Sequence, residues 1–84
     1  VKIARTHRFK RAYKSLRDDV KGKLKKQLRF LIENVRHPSL RTKKIKGTIG
    51  IWEARVDKGH RFTFEILEDT IILRNIGNRD EVLK

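Results

Sequence analysis

The sequence predicts an α+β fold: an N-terminal edge strand, a two-helix antiparallel hairpin, then a three-stranded antiparallel meander, with the helices on one face of the sheet. Three observations predict it. Apolar residues recur with helical spacing between His7 and His37, alternate one by one after Gly47, and are interrupted by turn-forming residues at Asp57-Lys58-Gly59 and Glu68-Asp69. Residues 1–84 are accordingly read as a single domain.

Val1 and Ile3 alternate with Lys2 and Ala4, which suits an edge strand, and Thr6 is placed to cap a helix. From His7 to about Arg17, Phe9, Ala12, Tyr13 and Leu16 recur at i, i+3, i+4 and i+7 among basic neighbours. Asp18 or Asp19 can cap the second helix, where Val20, Leu24, Leu28, Leu31, Ile32 and Val35 keep helical spacing until His37-Pro38 stops it. Phe30 falls off that stripe, either filling a gap against the first helix or marking a partner-binding surface. A polar linker follows, HPSLRTKKIKGTIG, carrying Arg41, Lys43, Lys44 and Lys46. It reads as a solvated loop or as a phosphate-gripping strip.

The register of the first β-hairpin follows from parity, because strand side chains repeat every second residue. Trp52, Ala54 and Val56 share one face, and so do His60, Phe62, Phe64 and Ile66. A three-residue loop with Gly59 in the left-handed conformation pairs Val56 with His60, Ala54 with Phe62 and Trp52 with Phe64. Arg55 then lies opposite Arg61 on the other face, and Glu53 opposite Thr63. A two-residue loop at Glu68-Asp69 pairs Ile66 with Ile71, Phe64 with Leu73, Phe62 with Asn75, Thr63 with Arg74 and Arg61 with Ile76. Gly77-Asn78 breaks the strand and residues 79–84 form a tail. Ile49, Ile51, Leu67, Ile72 and Ile76 join the arginines on the outer face, which is apolar enough to expect a docking segment over part of it.

Charge is distributed unevenly. Residues 1–46 hold 17 basic and 3 acidic side chains, whereas residues 47–84 hold 6 and 7, for a net charge of +13. Such asymmetry points to an acidic partner, nucleic acid ahead of membrane, since no basic helix carries a bulky aromatic face. Cys is absent, which excludes disulfides, a thiolate nucleophile and Cys-based zinc sites. No apolar run approaches the roughly 20 residues that span a bilayer, and residues 1–9 lack a signal-peptide core, so a cytoplasmic location is expected. His7, His37 and His60 are too scattered to suggest a metal cluster, and no motif calls for a cofactor.

What remains is a concentration of arginine beside one carboxylate, one hydroxyl and one imidazole. RNA cleavage needs a base for the 2′-OH proton, an acid for the leaving 5′ oxygen, and cations for the charge on the phosphate. Arg fits the last role because its planar fork binds phosphate oxygens in pairs. Two like charges directly opposite each other destabilise a sheet, so Arg55 facing Arg61 suits a phosphate between them. On this reading Arg61 and Arg55 clamp the scissile phosphate and Arg79 supports the leaving group or the charged transition state. Glu53 is the candidate base and His60 its rival. Glu53 equally suits neutralisation of Arg55 or a neighbouring Lys, His60 fits a packed histidine, and Arg74 fits a cross-strand partner of Glu65 or Thr63. Trp52, Phe62 and Phe64 share parity with Val56 and Ile66, which assigns them to the core and not to base stacking.

Two basic helices followed by K-I-K-G, I-W-E-A-R-V, G-H-R-F-T-F-E-I, I-L-R-N-I-G and R-D-E-V-L resemble the RelE/ParE superfamily of bacterial and archaeal toxins over essentially the whole chain. The most specific parts are Trp52-Glu53-x-Arg55, Gly59-x-Arg61 and Ile76-Gly77-x-Arg79. The resemblance implies a ribosome-dependent endoribonuclease that cuts mRNA in the ribosomal A site without metal and is held inactive by a cognate antitoxin, a small acidic protein. It implies substrate contact through Arg55, Arg61 and Arg79, and gives the basic half of the chain ribosomal RNA as a partner. The chain departs from the family at Glu53 and Arg55, where several RelE toxins have Lys. It departs again at Leu83, where many have a catalytic Tyr, and at Arg79, where other branches have His. The alternatives are a ParE-like inhibitor of DNA gyrase without nuclease activity and a non-enzymatic RNA-binding module.

Overall fold

The computed structural model describes residues 1–82; Leu83, which the resemblance sets where many RelE toxins have a tyrosine, and Lys84 lie outside the described residues. The chain runs β1 (Lys2–Arg5), α1 (His7–Lys14), α2 (Asp18–Glu33), a 3-10 turn (Pro38–Leu40), β2 (Lys43–Lys44), β3 (Trp52–Arg55), β4 (His60–Leu67), β5 (Thr70–Asn78) and α3 (Arg79–Val82). Thr6 caps α1, its Oγ1 accepting from the Phe9 amide at 3.1 Å. The first helix ends at Lys14 and not near Arg17, with Ser15 as its C-cap. Arg17, and neither aspartate, is the N-cap residue of α2, while Asp18 and Asp19 fill its first turn, where carboxylates suit the helix dipole. The second helix stops at Glu33, short of His37-Pro38.

The fold is α+β, but the sheet is larger than a three-stranded meander. Five strands lie in the order β1-β5-β4-β3-β2, with β1 parallel to β5 and the remaining pairs antiparallel. The expected linker is also more ordered than a solvated loop: it holds the 3-10 turn and β2, which pairs Lys43 with Glu53 and Lys44 with Trp52.

The core lies between the helices and one sheet face. Phe9, Val20, Leu24 and Leu31 from the helices and Leu40 from the 3-10 turn pack with Ala54, Val56, Phe62, Phe64, Ile71, Leu73 and Ile76 from the sheet. Burying each large side chain stabilises by roughly 1.5–3 kcal/mol. Phe30 is half-buried and stacks on His37, ring centroids 3.9 Å apart, so it braces the chain entering the 3-10 turn.

The β3–β4 register has Trp52 opposite Phe64, Ala54 opposite Phe62 and Arg55 opposite Arg61. Gly59, however, is not left-handed; among the described residues the positive-φ glycines are Gly47 and Gly50. The Asp57 carboxylate shapes the turn instead, its Oδ1 accepting from the backbone amides of Gly59 at 3.0 Å and His60 at 2.9 Å. In β4–β5 the pairs Ile66–Ile71 and Phe64–Leu73 form as expected, but the register shifts between Thr63 and Phe64. Arg74 is left without a partner in the ladder, so Thr63 faces Asn75, Phe62 faces Ile76 and Arg61 faces Gly77. That one-residue bulge turns Ile76 from the outer face into the core. The strand continues through Gly77-Asn78, and the first four residues of the expected tail, 79–82, form α3. No helix of the described residues is long and apolar enough to cross a membrane.

Candidate functional site

Glu53, Arg55, Arg61 and Thr63 all point to the face away from the helices, as alternation along β3 and β4 requires. Because the Val56 amide donates to the His60 carbonyl at 3.0 Å, the neighbouring pair Arg55–Arg61 is of the non-hydrogen-bonded kind. In such pairs the Cα atoms approach to about 4.5 Å and the side chains are closest. Arg79 joins them from the start of α3, whose position is fixed by two bonds. The Arg79 amide donates to the Gly59 carbonyl at 2.9 Å, and the Asp80 amide donates to Asn78 Oδ1 at 2.9 Å. At the other end of α3, Val82 packs over Gly77, where a Cβ would lie 3.4 Å from Val82 Cγ2. The helix thus lies over Gly77 on the arginine face, while Ile49 stays 97% exposed.

Arg61 is the electrostatic centre. Partial burial weakens its hold on its proton, and the charges of Arg55 and Arg79 weaken it further, with Glu53 and Asp57 offsetting part of the effect. Its Nη1 donates to the carbonyls of Asp57 at 2.7 Å and His60 at 2.9 Å, with Lys58 at 3.4 Å. One arm of the fork therefore holds the turn, and among the described residues the remaining nitrogens make no hydrogen bond.

Glu53 is 4% exposed. Its Oε1 lies 3.1 Å from Lys43 Nζ, and its Oε2 is buried without a hydrogen-bond partner among the described residues. His60 lies elsewhere. It shares the helix-side face with Phe62, and its Nδ1 sits 2.9 Å from Asp57 Oδ1, while Asp57 Oδ2 meets Lys23 of α2 at 3.4 Å. The arginines and His60 therefore occupy opposite faces. Burial raises the Asp57 pKa, but hydrogen bonds from the His60 ring and the Gly59 and His60 amides, with the charge of His60, outweigh it and leave a net lowering.

The basic strip divides. Arg41 borders the same recess as Arg55; Lys43 sits on Glu53; Lys44 lies over the Trp52 ring, 5.4 Å from its centroid; Lys46 is exposed. Arg74 pairs with Glu65 at 3.6 Å. A second recess, of about 350 Å³, crosses the outer face between Thr6 and Arg8 at one side and Ile51 and Thr63 at the other. Among the described residues no three His, Asp or Glu side chains gather so as to hold a metal ion.

No family model matches the sequence, and no curated protein matches it. Solved structures do. A YoeB/ParE toxin from Agrobacterium tumefaciens superposes with a TM-score of 0.82 at 15% identity, over 94% of this chain and 99% of that one. RelE in the RelB–RelE antitoxin–toxin complex of Methanococcus jannaschii gives 0.75 at 22% identity, over 93% and 92%. YafQ in the E. coli DinJ–YafQ complex gives 0.81 at 16% identity, over 98% and 96%. The chain has the RelE/ParE toxin fold.

Within the RelE/ParE fold of this chain, three further residues position the arginines; two were expected only to shape a turn or end a strand, and Gln27 was not singled out at all. Asp57 closes the turn below Arg61. Asn78 caps α3 beneath Arg79. Gln27, 6% exposed, reaches from α2 to donate to the Arg55 carbonyl at 2.8 Å and the Ser39 carbonyl at 3.0 Å. A signal for Gln27 existed: it sits on the apolar stripe of α2, three residues after Leu24 and four before Leu31.

Proposed function

We propose that this chain is the toxin of a toxin–antitoxin pair and a ribosome-dependent endoribonuclease that cleaves mRNA, acting in the cytoplasm as a single domain. The observation that carries the nuclease reading is the half-buried Arg61 held between the like charges of Arg55 and Arg79, an arrangement that a bound phosphate relieves. Arg61 and Arg55 grip the non-bridging oxygens of the scissile phosphate. Glu53 takes the 2′-OH proton, the 2′ oxygen forms its bond to phosphorus, and the bond from phosphorus to the 5′ oxygen breaks. Arg79, exposed at the start of α3, steadies the negative charge growing on that 5′ oxygen, which takes a proton from water. Lys43 covers Glu53 in the free protein, and its exposed ammonium exchanges the carboxylate for an RNA phosphate as the strand arrives. The side on which His60 lies favours Glu53 as the base.

Two of the structural relatives, RelE and YafQ, stand in complexes with RelB and DinJ, which supports a cognate antitoxin here. A net charge of +13 calls for an acidic one. The test is induction of the chain in cells, with growth and ribosome-bound mRNA ends followed together. Arg61→Ala and Arg79→Ala are both expected to lose growth arrest and cleavage while unfolding cooperatively. Undiminished cleavage by the folded variants would refute the site. Arrest without cleaved mRNA, indifferent to all three arginines, would point to a gyrase-directed toxin instead.

A further inference from the structure

Beside the arginine pair lies a recess of about 410 Å³, lined by Gln27, Pro38, Ser39, Arg41, Arg55 and Val56. Resting on the nuclease reading above, we infer that this recess is a second subsite, holding the ribonucleotide next to the scissile phosphate. Arg41 and Arg55 are its two cations, and Arg55 is shared with the scissile position because it faces Arg61 across the strand pair. A strand laid along β3 thus meets one phosphate between Arg55 and Arg61 and the adjoining one between Arg55 and Arg41.

The floor of the recess is built to stay. Gln27 is buried, and both hydrogens of its amide nitrogen are used, on the carbonyls of Ser39 and Arg55. Its remaining polar atom, the acceptor Oε1, is left for the recess. An acceptor beside two guanidinium groups fits a sugar hydroxyl next to a phosphate, the feature that separates RNA from DNA. Arg41 itself occupies the left-handed region at φ 48°, where glycine is at ease and arginine is not. Its guanidinium can therefore be removed without cost to the backbone.

The experiment measures binding of a labelled five-nucleotide oligouridylate, and of its deoxy counterpart, by fluorescence anisotropy between 50 and 200 mM salt. Wild type is compared with Arg41→Gly and Arg61→Ala, and each protein's unfolding midpoint is recorded. Arg41→Gly is expected to keep or raise the midpoint, weaken RNA binding by about five- to tenfold at low salt, and reduce the slope of log K against log salt by about 0.7, the share of one phosphate contact. The deoxy strand is expected to bind wild type several-fold more weakly than RNA. If Arg41→Gly binds like wild type while Arg61→Ala does not, the second subsite is wrong and the cleavage site stands. If neither variant weakens binding, the RNA reading itself fails. Equal affinity for RNA and its deoxy counterpart would overturn the hydroxyl contact at Gln27.

Discussion

Replacing Arg55 with Met is expected to stabilise this protein while disabling it. Arg55 and Arg61 face each other in a non-hydrogen-bonded strand pair, and the Arg61 guanidinium is already destabilised by partial burial and by its two arginine neighbours. Like charges directly opposed in a sheet cost about 0.2–1 kcal/mol. Met keeps the unbranched stem on the strand, and the bond that Gln27 makes here goes to the backbone carbonyl and survives the change. Taking about 0.5 kcal/mol for the relief, and about 4–8 °C per kcal/mol for a domain of this size, Arg55→Met raises the unfolding midpoint by about 2–4 °C. Repulsion between half-exposed cations is partly screened by salt, so the gain should shrink in 1 M NaCl, where the Debye length falls to about 3 Å. Added orthophosphate should raise the midpoint of wild type and have less effect on the variant. The assay is thermal unfolding followed by circular dichroism at low salt, at high salt and with phosphate, alongside growth arrest in cells. An unchanged or lower midpoint for Arg55→Met at low salt would show that the pair is not strained, and the argument for an anion between the two arginines would fall with it.

Asp57 gives a pH signature: its carboxyl is held below 3.8 in the folded state, so its contribution to stability is complete above that value and disappears as pH falls through the folded-state pKa. In a pH series of urea unfolding, Asp57→Asn should lie below wild type by a constant margin near neutrality, and the two should converge in acid. At Gly77, a Val side chain would reach into Val82, which already sits 3.4 Å from the position of a Cβ. Because Val suits a strand, Gly77→Val should leave the unfolding midpoint unchanged or higher, yet displace α3 and reduce mRNA cleavage about as far as Arg79→Ala does. Cleavage at the wild-type level would mean that α3 is not what positions Arg79.

The central hairpin was legible because two independent signals agreed, strict alternation on both strands and a turn that fixed their offset. Pairings made far along the chain left no such trace. Lys2 lies beside Thr70 in β1–β5, and a strand as short as Lys43–Lys44 has no periodicity to read. The bulge at Arg74 was hidden for the opposite reason, since parity counted across it puts Ile76 outside. An isoleucine assigned to the arginine face was itself the sign that the count had slipped. Asp57 was legible as a turn residue, but its contact with Lys23, 34 residues earlier, was not.

Two defects meet on one strand pair, one visible from parity and one only in the folded chain. Arg55 opposes Arg61, and Glu53, one pair along, keeps a buried oxygen without a donor. An unsatisfied buried acceptor costs about 1–3 kcal/mol, a large fraction of what a domain of this size has to spare. Among the described residues neither defect is repaired: the nearest cations are themselves in excess, and Lys43 reaches only one carboxylate oxygen. Under the proposed function an RNA strand would answer the first, bringing a phosphate to the arginines, and would set a 2′-hydroxyl beside the carboxylate that Lys43 releases. The helix-side core, with Phe62, Phe64, Leu73 and Leu24 fully buried, supplies the stability that offsets the two defects of the outer face.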